Sequence, residues 1–159
     1  MKPRVVELGV DMSTTLVEWR DPPRMDSGSP LPVARLIDKT LYVAYVCRNQ
    51  EFPGWDSGAS IDHPGFALFS ALLRFDGVTE YLLGPPGDAR LYKHPLYLVG
   101  LRQYSFYEVT GMPNITSGAR MWVVTFHDET LEVYAVSAEV SSRRIDGENT
   151  SQIIRDIAV

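Results

Sequence analysis

Residues Arg120 to Val140 constrain this chain more than any other stretch. Read with a four-residue turn from His127 to Thr130, they place Phe126 opposite Leu131, Val124 opposite Val133 and Trp122 opposite Ala135. Strict alternation then makes one apolar face of these side chains. The other face carries Met121, Val123, Thr125, Glu132, Tyr134 and Val136, and it is largely apolar too. A ribbon that is apolar on both faces must be covered on both. That is the position of a central strand pair in a sandwich or barrel.

The rest of the chain supplies partners for such a pair. Val33 to Cys47 reads as a hairpin turning at Asp38-Lys39, with Leu36 opposite Leu41 and Ala34 opposite Val43. Tyr104 to Val109 is a short strand, and the first twenty residues hold one or two weak ones. Phe66 to Leu83 is ambiguous. Its Ala/Leu-rich run after Pro64 suits a helix, but Asp76-Gly77 between apolar runs is a strong hairpin signal and is favoured. Ile153, Ile154 and Ile157 fall at helical spacing behind Asn149 or Thr150, which can cap a short helix. A helix this short needs the body of the protein, or another copy, to dock on. The expected fold is all-β, a mainly antiparallel sandwich or barrel with a short C-terminal helix, in a single domain spanning 1–159.

Composition agrees. Apolar residues make up 45% of the 159-residue chain and charged residues 22%, ordinary globular values. A domain of this length buries roughly 70% of its unfolded surface and needs no staples. Eight tyrosines, six phenylalanines and three tryptophans favour packed strands. The formal net charge is −5, with Arg143 and Arg144 the densest basic pair, so nucleic acid is not an expected partner. Cys47 is the only cysteine, which excludes an intrachain disulfide and a cysteine-based zinc site. It reads as a small buried residue at a strand end. Neither a signal peptide nor a membrane span is visible, and a cytoplasmic location is expected.

Two loops interrupt this body. Asp21 to Pro32 carries four prolines, and Asn49 to Gly65 carries Trp55 and His63 among glycines and prolines. Loops of this length are commonly functional.

Chemistry concentrates in two stretches. One runs from Gly84 to Leu101, where Pro85, Pro86 and Gly87 make a tight turn, Asp88 can bond its own backbone, and His94-Pro95 forces an extended step. The other, Thr125 to Glu132, sets His127 and Asp128 on the crown of the strong hairpin. Together they resemble the signatures of a widespread family of small, uncharacterised bacterial proteins. The first signature reads G-x-P-N-D-E-x-L-x-x-H-P-L-x-x-x-G-L with a short aromatic strand ending Glu-Val after it, and the second reads F-H-D-x-T-F-E. Gly84, Pro86, Asp88, Leu91, His94, Pro95, Leu96, Gly100 and Leu101 match the first, with Tyr104, Glu108 and Val109 following. Phe126, His127, Asp128, Thr130 and Glu132 match the second. The resemblance covers Phe75 to Ala135. Gly87 stands where the pattern has Asn, and Ala89 where it has Glu. The resemblance implies relatives and not a reaction.

Two functional readings follow. The first is a binding or interaction module without catalysis. Its ligand-binding candidates are Asp88, His94, Tyr97, His127, Asp128 and Glu132, and its partner is a small molecule or a protein. The second is a small metal-dependent or acid–base enzyme using His94, His127, Asp128 and Glu132, since two imidazoles with carboxylates suit zinc, iron, manganese or general-base work. Each residue also has a plainer role: His63 and His94 as loop-bonding imidazoles, His127 with Asp128 as a turn pair, Glu108 and Glu132 in salt bridges with Arg102 or Arg120. No nucleotide loop or nucleophile elbow is present, no cofactor is expected and no catalytic residue is assigned. A homodimer is expected, because the loops carry aromatics and the terminal helix has no obvious home. The Asp88–His94 loop and the His127–Thr130 turn should lie at one end of the body, since strands 104–109 and 120–126 can return antiparallel.

Overall fold

Strands β7 (Arg120–Thr125) and β8 (Thr130–Ala135) lie inside a five-stranded antiparallel sheet, as their two apolar faces require. The structure is a computed structural model, and it describes residues 10, 13–25, 31–47, 69–112, 118–144 and 150–157. The first sheet runs β1 (Thr15–Glu18), β6 (Phe106–Thr110), β7, β8 and β5 (Glu80–Gly84). The second sheet runs β2 (Val33–Ile37), β3 (Thr40–Val46), β4 (Phe69–Asp76) and β9 (Ser137–Arg144). The two stack as an all-β sandwich, and a helix, α1 (Thr150–Ile157), follows.

Between the sheets lies the main core. Phe106, Trp122, Val124, Phe126, Leu131, Val133 and Ala135 face Leu41, Val43, Tyr45, Ala71, Leu73 and Phe75. Edge-on ring contacts tie the layers, with Phe75 and Trp122 centroids 5.7 Å apart and Trp19 5.9 Å from Phe75. Cys47 is buried at the end of β3, where it bridges to Met25. The hairpin turning at Asp38-Lys39 forms with Leu36 opposite Leu41 and Ala34 opposite Val43.

Two expectations need correction. The β7–β8 register is displaced by two residues, so Val124 pairs with Leu131 and Trp122 with Val133. A displacement of two keeps every side chain on its face, because strand periodicity is two. The turn is Phe126–Glu129, closed by the Phe126 N–H donating to the Glu129 carbonyl at 2.8 Å.

The second correction concerns Asp76-Gly77. Residues 69–76 are strand, not helix, but no hairpin forms there. β4 pairs with β9 in one sheet, and β5 pairs with β8 in the other. Asp76-Gly77 is the corner at which one long strand passes between sheets, and Val136 is the matching corner in its partner. The Val136 N–H donates to the Asp76 carbonyl at 2.8 Å, holding the two corners together. Gly77 has φ +67, and a Cβ there would meet Val136 Cγ2 at 2.6 Å, so both conformation and space favour glycine.

The outer faces are covered as well. On the second sheet, Ile153 and Ile154 of α1 pack on Ala44 and Leu72, with Ile157, Val33 and Tyr42 around them. The helix therefore docks on its own body, and that ground for a homodimer is gone. On the first sheet, Met121, Val123 and Val109 are capped by Leu91, Leu96 and Leu101. These belong to the segment read as turn and loop, which forms two 3-10 helices, Asp88–Lys93 and Pro95–Val99. Gly100 ends the second with φ +108. Among the described residues, no helix is long and apolar enough to cross a membrane.

Candidate functional site

The cover of 3-10 helices begins beside the β7–β8 turn and is fastened to it. The Asp88 N–H donates to the His127 carbonyl at 2.8 Å, and the Thr130 hydroxyl donates to the Pro86 carbonyl at 2.7 Å. Gly87 allows the contact, because a Cβ there would lie 3.0 Å from the carbonyl oxygen of Asp128. The added atom would press on the Asp128 backbone, which would have to give by a few tenths of an ångström. The two motif loops thus share one end of the sandwich, as the antiparallel pairing of β6 with β7 requires.

At this junction Asp88, Tyr104 and His127 form one cluster. The Tyr104 hydroxyl donates to Asp88 Oδ2 at 2.6 Å, and its oxygen lies 2.9 Å from His127 Nδ1. His127 Nδ1 is also 2.9 Å from Asp88 Oδ2, and the two rings stack with 9° between their planes. On the far side of the imidazole, Nε2 stands 3.6 Å from Asp128 Oδ1. The Tyr104 hydrogen bond, helped by the nearby imidazole, holds the Asp88 carboxyl below its ordinary range. The same bond, with burial and the Asp128 charge, pushes the Tyr104 phenol up to about 12. Burial, and then Asp128, raise the Glu129 carboxyl.

Tyr104 was expected as a strand residue and was missing from the candidates. It has φ +52, just ahead of β6. A bulky side chain in the left-handed region costs on the order of 1–3 kcal/mol, and such outliers gather at functional sites. Gly or Asn would sit there with less strain, and neither could reach both Asp88 and His127. Nothing in the local sequence marks that conformation.

Beside Asp88 opens a groove of about 570 Å³ lined by Leu91, Tyr92, Tyr97, Leu101, Arg102 and Gln103. Leu91 and Leu101 form a buried floor, whereas Tyr92 and Tyr97 are exposed. Tyr97, a ligand-binding candidate of the sequence, lines this groove. Tyr92, Arg102 and Gln103 were not anticipated.

His94 and Glu132 lie elsewhere. Both are buried beneath the 3-10 helices, His94 Nε2 3.7 Å from Glu132 Oε1. His94 Nδ1 accepts the Leu96 N–H at 3.1 Å and so caps the second 3-10 helix. An imidazole nitrogen that accepts leaves its hydrogen on the other nitrogen, so Nε2–H points at the carboxylate. The four residues of the acid–base and metal reading are therefore split into a buried pair and an exposed one. Among the described residues, no group of three or more His, Cys, Asp or Glu is placed to hold a metal ion. Glu108 is engaged structurally, accepting two hydrogen bonds from Arg120 at 2.7 and 2.8 Å, with the guanidinium over the Trp122 ring. Trp55 and His63 lie outside the described residues.

Protein-family profiles, curated proteins and solved structures were all compared with the chain, and none matches it.

Proposed function

We propose that this protein is a binding module without catalysis, of bacterial type and cytoplasmic, that takes a small polar molecule with a flat ring at the rim of its sandwich. One observation carries the reading: Asp88, held in the hydrogen-bonded Asp88–Tyr104–His127 cluster, lines a groove with two exposed tyrosine side chains. Tyrosine rings offer stacking surface at little entropic cost, and Arg102, Gln103 and Asp88 offer directional hydrogen bonds beside them. The groove volume is that of a small-molecule site. The net charge of −5 argues against nucleic acid, and neither membrane nor cofactor is part of the reading.

The test is a fragment screen read by amide chemical shifts. Ring-bearing polar fragments should perturb residues 88–103 and 127–129 together, and Tyr97→Ala should weaken the binding at least tenfold. Fragment shifts scattered over the surface, or none at these residues, would rule the site out. A second reading, acid–base chemistry at His127, is favoured by the carboxylate behind its imidazole, an arrangement that orients a general base.

A further inference from the structure

The hydrogens of the Asp88–Tyr104–His127 cluster can be counted, and the count fixes which nitrogen of His127 faces outward. Tyr104 has one hydroxyl hydrogen and two oxygens or nitrogens to satisfy, Asp88 Oδ2 at 2.6 Å and His127 Nδ1 at 2.9 Å. Asp88, with its carboxyl held below the ordinary range, is an acceptor only. The shorter bond takes the Tyr104 hydrogen. His127 Nδ1 then faces two acceptors, the phenol oxygen and Asp88 Oδ2, both at 2.9 Å. Without a hydrogen of its own it would meet two lone pairs at that distance. It must therefore carry one.

We infer that Asp88 and Tyr104 are positioning residues that lock His127 as its Nδ1–H tautomer, so that Nε2 is presented as the acceptor for an O–H or N–H group of the ligand. The side chain is 46% exposed, and Nε2 stands 3.6 Å from Asp128 Oδ1, beyond hydrogen-bond distance. His94 differs on every count: its Nδ1 accepts from Leu96, and the ring is buried. The two histidines thus carry opposite tautomers, one built for the interior and one for contact. The strained backbone of Tyr104 fits the same role, because only a long phenol at that place reaches both partners. The inference rests on the proposed binding site for its biological use. The tautomer itself does not depend on any ligand.

Long-range proton–nitrogen NMR of the imidazoles, on the full chain without ligand and at a pH where the rings are neutral, tests it. In the wild type, the His127 Nδ1 signal should lie in the pyrrole-like region and Nε2 in the pyridine-like region, with the pattern reversed at His94. Asp88→Ala frees the Tyr104 hydroxyl to donate to Nδ1, so the His127 pattern should invert. Tyr104→Phe leaves Asp88 within reach of Nδ1, and the pattern should stay as in the wild type. A wild-type ring in the Nε2–H form would overturn the inference, as would an unchanged pattern in Asp88→Ala or an inverted one in Tyr104→Phe. Amide spectra of each variant report whether it is folded, and the wild-type measurement needs no variant. A confirmed tautomer with no fragment bound at the groove would reject the binding site alone.

Discussion

The imidazole of His94 and the carboxyl of Glu132 face each other across 3.7 Å in the interior, and among the described residues neither His94 Nε2 nor Glu132 Oε1 has a hydrogen-bond partner. One residue belongs to the helical cover and the other to the middle of β8. The pair is thus a buried polar contact between cover and sheet, amid Leu91, Leu96, Met121 and Val123. A double-mutant cycle of His94→Ala and Glu132→Ala in urea should give a coupling energy of about 0.5–3 kcal/mol, the range for interacting neighbours. Additive costs would show that the contact is incidental. His94→Ala alone should also loosen the second 3-10 helix, because the Leu96 N–H loses its acceptor at a cost of about 1–3 kcal/mol.

Asp88 and Tyr104 give the protein a pH dependence from both sides. A carboxyl with a lowered folded value stabilises the fold above its unfolded range near 3.9, and that contribution is lost as pH falls through the folded value. A phenol raised to about 12 contributes fully below its unfolded value near 10, and the contribution is lost as pH rises toward 12. Both report one hydrogen bond, so the effects are not added. Tyr104→Phe should flatten the wild-type stability profile below about pH 4 and remove a phenol that ionises near 12. Its cost at neutral pH should be about 1 kcal/mol, low for a bond to a charged group because the cluster is partly exposed. A variant whose acid limb is as steep as the wild type's would show that Asp88 draws its stabilisation elsewhere.

Gly87→Ala tests the fastening of the two loops. The new methyl would press on the Asp128 backbone at 3.0 Å, and overpacking of this kind costs about 1–3 kcal/mol. The expected signature is faster hydrogen exchange at the Asp88 amide, whose acceptor is the His127 carbonyl. Unchanged exchange there would mean that the loops approach through some other contact.

Phe126→Ala probes the sandwich core. Phe126 is buried between the sheets, its ring 5.9 Å from that of Tyr45. Chemical denaturation should show a loss of about 3–5 kcal/mol, as for other buried aromatic truncations. A loss under about 1 kcal/mol would move the core away from β7.

Alternation by itself determined the fold class. Trp122, Val124 and Phe126 share a face whatever the register, because side-chain direction depends only on parity along the strand. The same alternation set the Val33–Cys47 hairpin, and helical spacing set the apolar stripe of α1. Parity cannot fix register, which is why the β7–β8 pairing was displaced by two, nor can it say which sheet a strand joins. Asp76-Gly77 permits a reversal or a corner equally. The Val136 bend and the partners waiting in each sheet decided for the corner. The same limit applies at the rim. His127, Asp88 and Asp128 could be named from their motifs, and their end of the body could be inferred from strand direction. That His94 and Glu132 form a separate buried pair, and that Tyr104 completes the exposed cluster, depends on side chains distant in sequence. Those positions were set by packing of the 3-10 cover on β7 and β8, a tertiary event with no local trace.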